Sequence, residues 1–120
     1  MEQMKLGHVE SRFADIIWAN EPLTSRALVE LCAQQLEWKK STTYTVLKKL
    51  CDRGIFQNQD GTVTSLISKT DFHAAQSEKF VEETFGGSLP AFLAAFTKRK
   101  NLTPEEIAEI RTMIDSFGEV

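Results

Sequence analysis

WKKSTTYTVLKKLCDRGIFQNQDG, residues Trp38 to Gly61, joins a capped amphipathic helix to a hairpin in two dozen residues. Ser41 predicts the N-cap of a helix running to Arg53, because a Ser hydroxyl can accept from the free amides of the first turn. Gly54 suits the left-handed position that ends such a helix. At 100° per residue, Thr43, Val46, Leu47, Leu50 and Cys51 form one apolar side. Ser41, Thr42, Thr45, Lys48, Lys49 and Asp52 form the opposite side, with Tyr44 on the border. Beyond Gly54, Ile55-Phe56-Gln57 and the alternating Val63 to Ile67 flank Gln59-Asp60-Gly61. Asp-Gly between two β-prone runs predicts a hairpin turn.

Two helices precede this stretch. Val9, Phe13, Ile16 and Ile17 recur at helical spacing from His8 to Asn20, with Glu10, Arg12 and Asp15 on the other face. Asn20-Glu21-Pro22 ends that helix. Thr24 then reads as the N-cap of a second helix to Leu36, with Leu23 and Leu28 as a hydrophobic staple. Its inner side carries Leu28, Leu31, Cys32 and Leu36. Three further helices follow: Asp71 to Phe85, Ser88 to Thr97 and Thr103 to Phe117. Thr103-Pro104-Glu105-Glu106 is a capping box with Pro at the first helical position. The fold class expected is mostly α: a winged helix-turn-helix of three helices and a β-hairpin over residues 1–69, then a three-helix dimerisation region over 70–120.

The chain has 120 residues, 42% of them hydrophobic, and a net charge of −3. That is enough for one domain or two small ones. No apolar run could span a bilayer, and Met1 to Lys5 opens on a polar stretch without a signal-peptide pattern, so the expected location is cytoplasmic with no membrane partner. Cys32 and Cys51 sit on apolar helix faces and read as small buried side chains, a disulfide or a redox sensor being the alternatives. His8 and His73 are isolated, and no cluster has metal-ligand spacing. There is also no Gly-rich phosphate loop and no nucleophile beside a base. Glu82-Glu83 and Glu105-Glu106 read as solvated faces and helix-start charges. The sequence therefore gives no catalytic residue, no metal and no cofactor.

Charge is unevenly spread. Residues 1–70 hold nine Lys/Arg against eight Asp/Glu, whereas residues 71–120 hold five against nine. Five of the fourteen cations (Lys39, Lys40, Lys48, Lys49 and Arg53) fall in the span from Lys39 to Arg53, opposed by Asp52. Phosphate attraction is local, decaying over about 10 Å at ordinary salt, so this focus outweighs the net charge. A duplex major groove accepts one helix and meets its outer face. Thr42 and Thr45 offer hydroxyls to bases or phosphates and methyls to thymine, Ser41 a further hydroxyl. Lys48 and Lys49 can reach guanine edges or phosphates, Tyr44 a phosphate, and Lys39 and Lys40 the backbone before the helix. These eight residues are the expected contacts to double-stranded DNA. The wing (Gln57, Asn58, Gln59, Asp60, Thr62) carries no cation. That absence and the low net charge leave a second reading open, a winged-helix protein-interaction module without specific DNA binding.

Six of the eight phenylalanines lie in the last third: Phe72, Phe80, Phe85, Phe92, Phe96 and Phe117. Three short helices cannot bury that much apolar surface alone. They could pack on the first domain, but a two-fold homodimer is the preferred expectation. Ile107, Ile110, Ile114 and Phe117 give a 3-4-3 stripe, the seam of pairing helices. Phe80, Phe85, Leu89, Phe92 and Phe96 join them as expected dimerisation residues. A small ligand among these phenylalanines is a further possibility.

The chain resembles the BlaI/MecI family of bacterial penicillinase repressors, which also contains copper-responsive repressors. The resemblance is carried by Ile17-Trp18, Glu21-Pro22-Leu23-Thr24, Trp38, Thr42, Thr45, Leu47, Leu50, Gly54, Asp60-Gly61 and Leu102-Thr103-Pro104-Glu105-Glu106-Ile107. It implies a homodimer that represses transcription from a palindromic operator, with Thr42 and Thr45 contacting DNA from the recognition helix. Lys49 stands where the family often has Arg, which keeps the charge but loses a bidentate fork. Penicillinase repressors are inactivated by cleavage at an Asn-Phe bond, and the matching place here reads Ala95-Phe96. Copper-responsive members carry a Cys-rich C-terminal motif, whereas this chain has no cysteine after Cys51. The resemblance therefore leaves the inducing signal and any sensor partner unknown.

Overall fold

The computed structural model describes residues 5–118. Most of the polar opening, residues 1–4, lies outside them. The order is α1 (His8–Asn20), β1 (Leu23–Thr24), α2 (Ser25–Leu36), α3 (Lys40–Asp52), β2 (Phe56–Gln59), β3 (Thr62–Ser65), α4 (Lys69–Phe85), α5 (Leu89–Arg99) and α6 (Pro104–Phe117). The fold is the expected one, mostly helical, with three helices and a wing followed by three more helices. The chain divides into two compact units, one ending at Lys79 and the other beginning at Phe80. No helix among the described residues is long and apolar enough to cross a membrane.

The first unit closes on one core. Phe13, Ile17, Leu28, Cys32, Leu50, Ile55, Phe56 and Val63 are completely buried there. Phe72, which the sequence grouped with the C-terminal phenylalanines, belongs to this core at 1% exposure. The first turns of α4 therefore serve the N-terminal unit. Trp18 explains why: its ring meets Phe56 and Phe72 at 5.4 and 5.5 Å, and its indole N–H donates to the Ile67 carbonyl at 3.1 Å.

Capping decides where the helices begin. Thr24 accepts from the Ala27 amide at 3.0 Å, as its position before α2 requires. Ser41 does not cap α3. Lys39 is the N-cap, without a side-chain bond, and Ser41 lies exposed in the first turn. The core sets this start. Glu37 takes a left-handed φ of 56°, and the next residue, Trp38, stacks on Phe13 with centroids 5.4 Å apart. Once Trp38 is pinned, the helix begins directly after Lys39.

The wing has one strand more than the sequence showed. Asp60 and Gly61 both have positive φ, 51° and 85°, which matches the twist of a tight two-residue hairpin. β3 pairs with β2 and also with β1, through Leu23↔Val63 and Thr24↔Thr62, giving the antiparallel order β1-β3-β2. The Glu21 carboxylate accepts from the Ser65 amide at 2.7 Å and from its hydroxyl at 2.8 Å. These bonds fix the wing to the α1–α2 linker.

In the second unit Ser88 caps α5 by accepting from the Ala91 amide, and Thr103 with Glu106 forms the expected capping box on α6. Phe80, Phe85, Phe92 and Phe96 form a chain of ring contacts 5.7–6.1 Å apart.

Candidate nucleic-acid interface

The residues proposed from sequence to meet DNA share one surface. Lys39 and the α3 side chains Lys40, Ser41, Thr42, Tyr44, Thr45, Lys48 and Lys49 are all exposed. The opposite side of the helix is fixed by burial of Thr43, Leu47 and Leu50, with Val46 and Cys51 partly covered. Three anchoring positions on one stripe leave α3 little rotational freedom, so its outer face is held outward by the core.

That face is not uniform. Lys48 pairs with Asp52 at 3.3 Å, both side chains mostly exposed. Lys49 lies toward α1, its Nζ 2.7 Å from Glu10. Arg53 joins the same carboxylate at 3.7 Å and donates to the Lys5 carbonyl at 3.0 Å. Among the described residues, Lys39 and Lys40 form no ion pair. They stand at the start of α3, where free backbone amides and the helix dipole favour an anion. Positive charge free to meet a phosphate is thus weighted toward the N-terminal end of the helix.

Several contributors were invisible in the sequence. Tyr44 donates to the Ser25 hydroxyl at 3.3 Å, linking α3 to the start of α2. Ser25 in turn donates its backbone N–H to the Gly61 carbonyl of the wing turn at 2.8 Å. A groove of about 350 Å³ lies between α3 and the wing, lined by Tyr44, Leu47, Lys48, Cys51 and Asn58. Glu10, read from sequence only as part of the face opposite the apolar side of α1, is 20% exposed and packs against α3. Lys49, Gly7 and Arg53 hold its carboxyl below the usual range, the Lys49 hydrogen bond contributing most. No local signal could have announced this, because periodicity gives the direction of a side chain along its own helix and not its neighbour.

Cys32 and Cys51 are both free. Burial pushes both thiols up, with Asp52 adding to the shift at Cys51, which is the opposite of what an activated thiolate needs.

The residues proposed for pairing have a different character. Phe80, Leu89, Phe96, Ile107, Ile114 and Phe117 are exposed, Phe117 to 73%. Phe85, Phe92 and Ile110 are half-buried. Met113, which lies off the Ile107-Ile110-Ile114-Phe117 stripe, is 56% exposed on α6.

No curated protein matches the chain at significance. The sequence model of the family described as Penicillinase repressor matches residues 6–116, nearly the whole chain.

Proposed function

The chain belongs to the penicillinase repressor family, whose members are DNA-binding transcriptional repressors, and from that premise we propose that it acts as a homodimer on a palindromic operator. The first unit, which ends at Lys79, supplies the DNA-binding fold, and the second holds two copies together. α3 enters the major groove, where Thr42 and Thr45 meet base edges, with Ser41 beside them. Lys39, Lys40, Tyr44, Lys48 and Lys49 hold the backbone. Repression is steric: an occupied promoter excludes polymerase. The protein is cytoplasmic and performs no catalysis.

The observation that carries this reading is the outer face of α3, exposed along its length and presented by a buried inner stripe. Pairing through the second unit is supported by its exposed Ile, Met and Phe side chains, which a second copy would cover. Two recognition helices on paired half-sites then gain affinity through effective concentration.

Capture of fragmented host DNA on the purified chain, at low and moderate salt, tests the proposal. A few promoter fragments sharing a palindrome at moderate salt is the expected result. Uniform recovery at low salt that vanishes at moderate salt would replace it with the interaction-module reading, which the cation-free wing favours.

A further inference from the structure

Two cations of the cluster from Lys39 to Arg53 are already met from within the fold. Glu10 Oε2 lies 2.7 Å from Lys49 Nζ, and Oε1 lies 3.7 Å from Arg53 Nη1. The Gly7 amide donates to the same carboxylate at 3.1 Å. An ammonium, a guanidinium and a backbone N–H are also the donor set that grips a phosphodiester. Glu10 and a DNA phosphate therefore want the same groups.

The contrast with Lys48 sharpens the point. Its partner Asp52 is 67% exposed and one helical turn away, so the pair exchanges freely with water and gives up its lysine easily. Glu10 has only 20% of its side chain exposed and is anchored by the Gly7 amide, so it waits in place for Lys49. Lys49 itself keeps 52% of its side chain exposed.

Building on the DNA-binding reading above, we propose that Glu10 is an internal competitor of DNA phosphate for Lys49, and that it lowers affinity for duplexes of any sequence. The α3 surface thus offers fewer usable cations than its composition suggests. Sequence-independent binding, which rests on phosphate contacts alone, is held down.

The test is fluorescence anisotropy with a labelled random-sequence duplex, comparing wild type, Glu10→Gln, Lys49→Ala and the double variant at two salt concentrations. Glu10→Gln should bind several-fold tighter at low salt. Its advantage should shrink about 3.5-fold between 50 and 200 mM salt, the mark of one further released counterion. The gain should vanish in the Lys49→Ala background, since Arg53 stays anchored on the Lys5 carbonyl. A well-folded Glu10→Gln variant that binds no tighter would overturn the inference, as would a gain that survives without Lys49. If Glu10→Gln does not fold, single replacements decide: Lys40→Ala should flatten the salt dependence more than Lys49→Ala, and equal effects would overturn it. A wild-type chain that ignores the duplex even at low salt would defeat the DNA-binding reading itself.

Discussion

The two units of this chain treat apolar side chains in opposite ways. Every buried residue among those described lies in the first unit, from Phe13 to Phe72. The second unit buries none, although α5 and α6 are well capped and rich in Ile, Leu and Phe. Helix formation and core formation are thus separable: local signals are enough to specify well-formed helices, but burial needs surfaces that converge. The first unit converges because a three-stranded wing and three helices close around Phe13 and Phe56. The second leaves an apolar seam on α6 whose completion we assign to a second copy.

The comparison is open to attack at both ends. The largest effect should come from Phe13→Ala, which empties a site at 0% exposure and removes the stack on Trp38. A loss of about 3–5 kcal/mol in unfolding free energy is expected by denaturant titration, enough to unfold the unit in some conditions. A loss under 1 kcal/mol would show that the core is not the single closed one described. Next is Ile114→Asp, at a side chain 58% exposed. The subunits should separate in sedimentation velocity, and operator affinity should fall by about 10²-fold or more as bivalency is lost. A variant that stays dimeric would take the seam away from α6.

Smaller effects grade the DNA-facing surface. The Lys39→Ala, Lys40→Ala double variant should reduce the slope of log affinity against log salt by about 1.8, while Lys48→Ala with Lys49→Ala reduces it less. The reverse order would put the phosphate contacts on the middle of α3. The smallest effect concerns acid. The Glu10 carboxyl is lowered in the folded state, so its contribution to stability is present above its ordinary 4.5 and is lost as pH falls through the lowered value. Glu10→Gln should therefore show a flatter stability profile in that acid window. The difference should stay under about 1 kcal/mol, because Lys49 is half exposed and screened. Identical profiles would mean that the ion pair adds nothing to folding.

Much of this was legible beforehand because it is local. The helix spans, the Thr24 and Thr103 caps, the Asp60-Gly61 turn and the buried stripe of α3 follow from spacings of three and four residues or from backbone demands at single positions. The misses share the opposite property. Ser41 lost the cap to Lys39 because Trp38 had to reach Phe13, and a two-residue β1 is too short to carry a period. Phe72 entered the first core because Trp18 lay waiting, a contact between helices far apart in the chain.

The sequence by itself therefore determined the helices, the hairpin, their order and the exposed α3 residues, since helical periodicity, turn chemistry and capping depend on near neighbours. Only the tertiary structure decided which phenylalanine joins which unit, that the wing has a third strand, and that Glu10 lies against Lys49. Those facts depend on how elements pack, and side chains brought together by packing leave no pattern in the spacing of either partner.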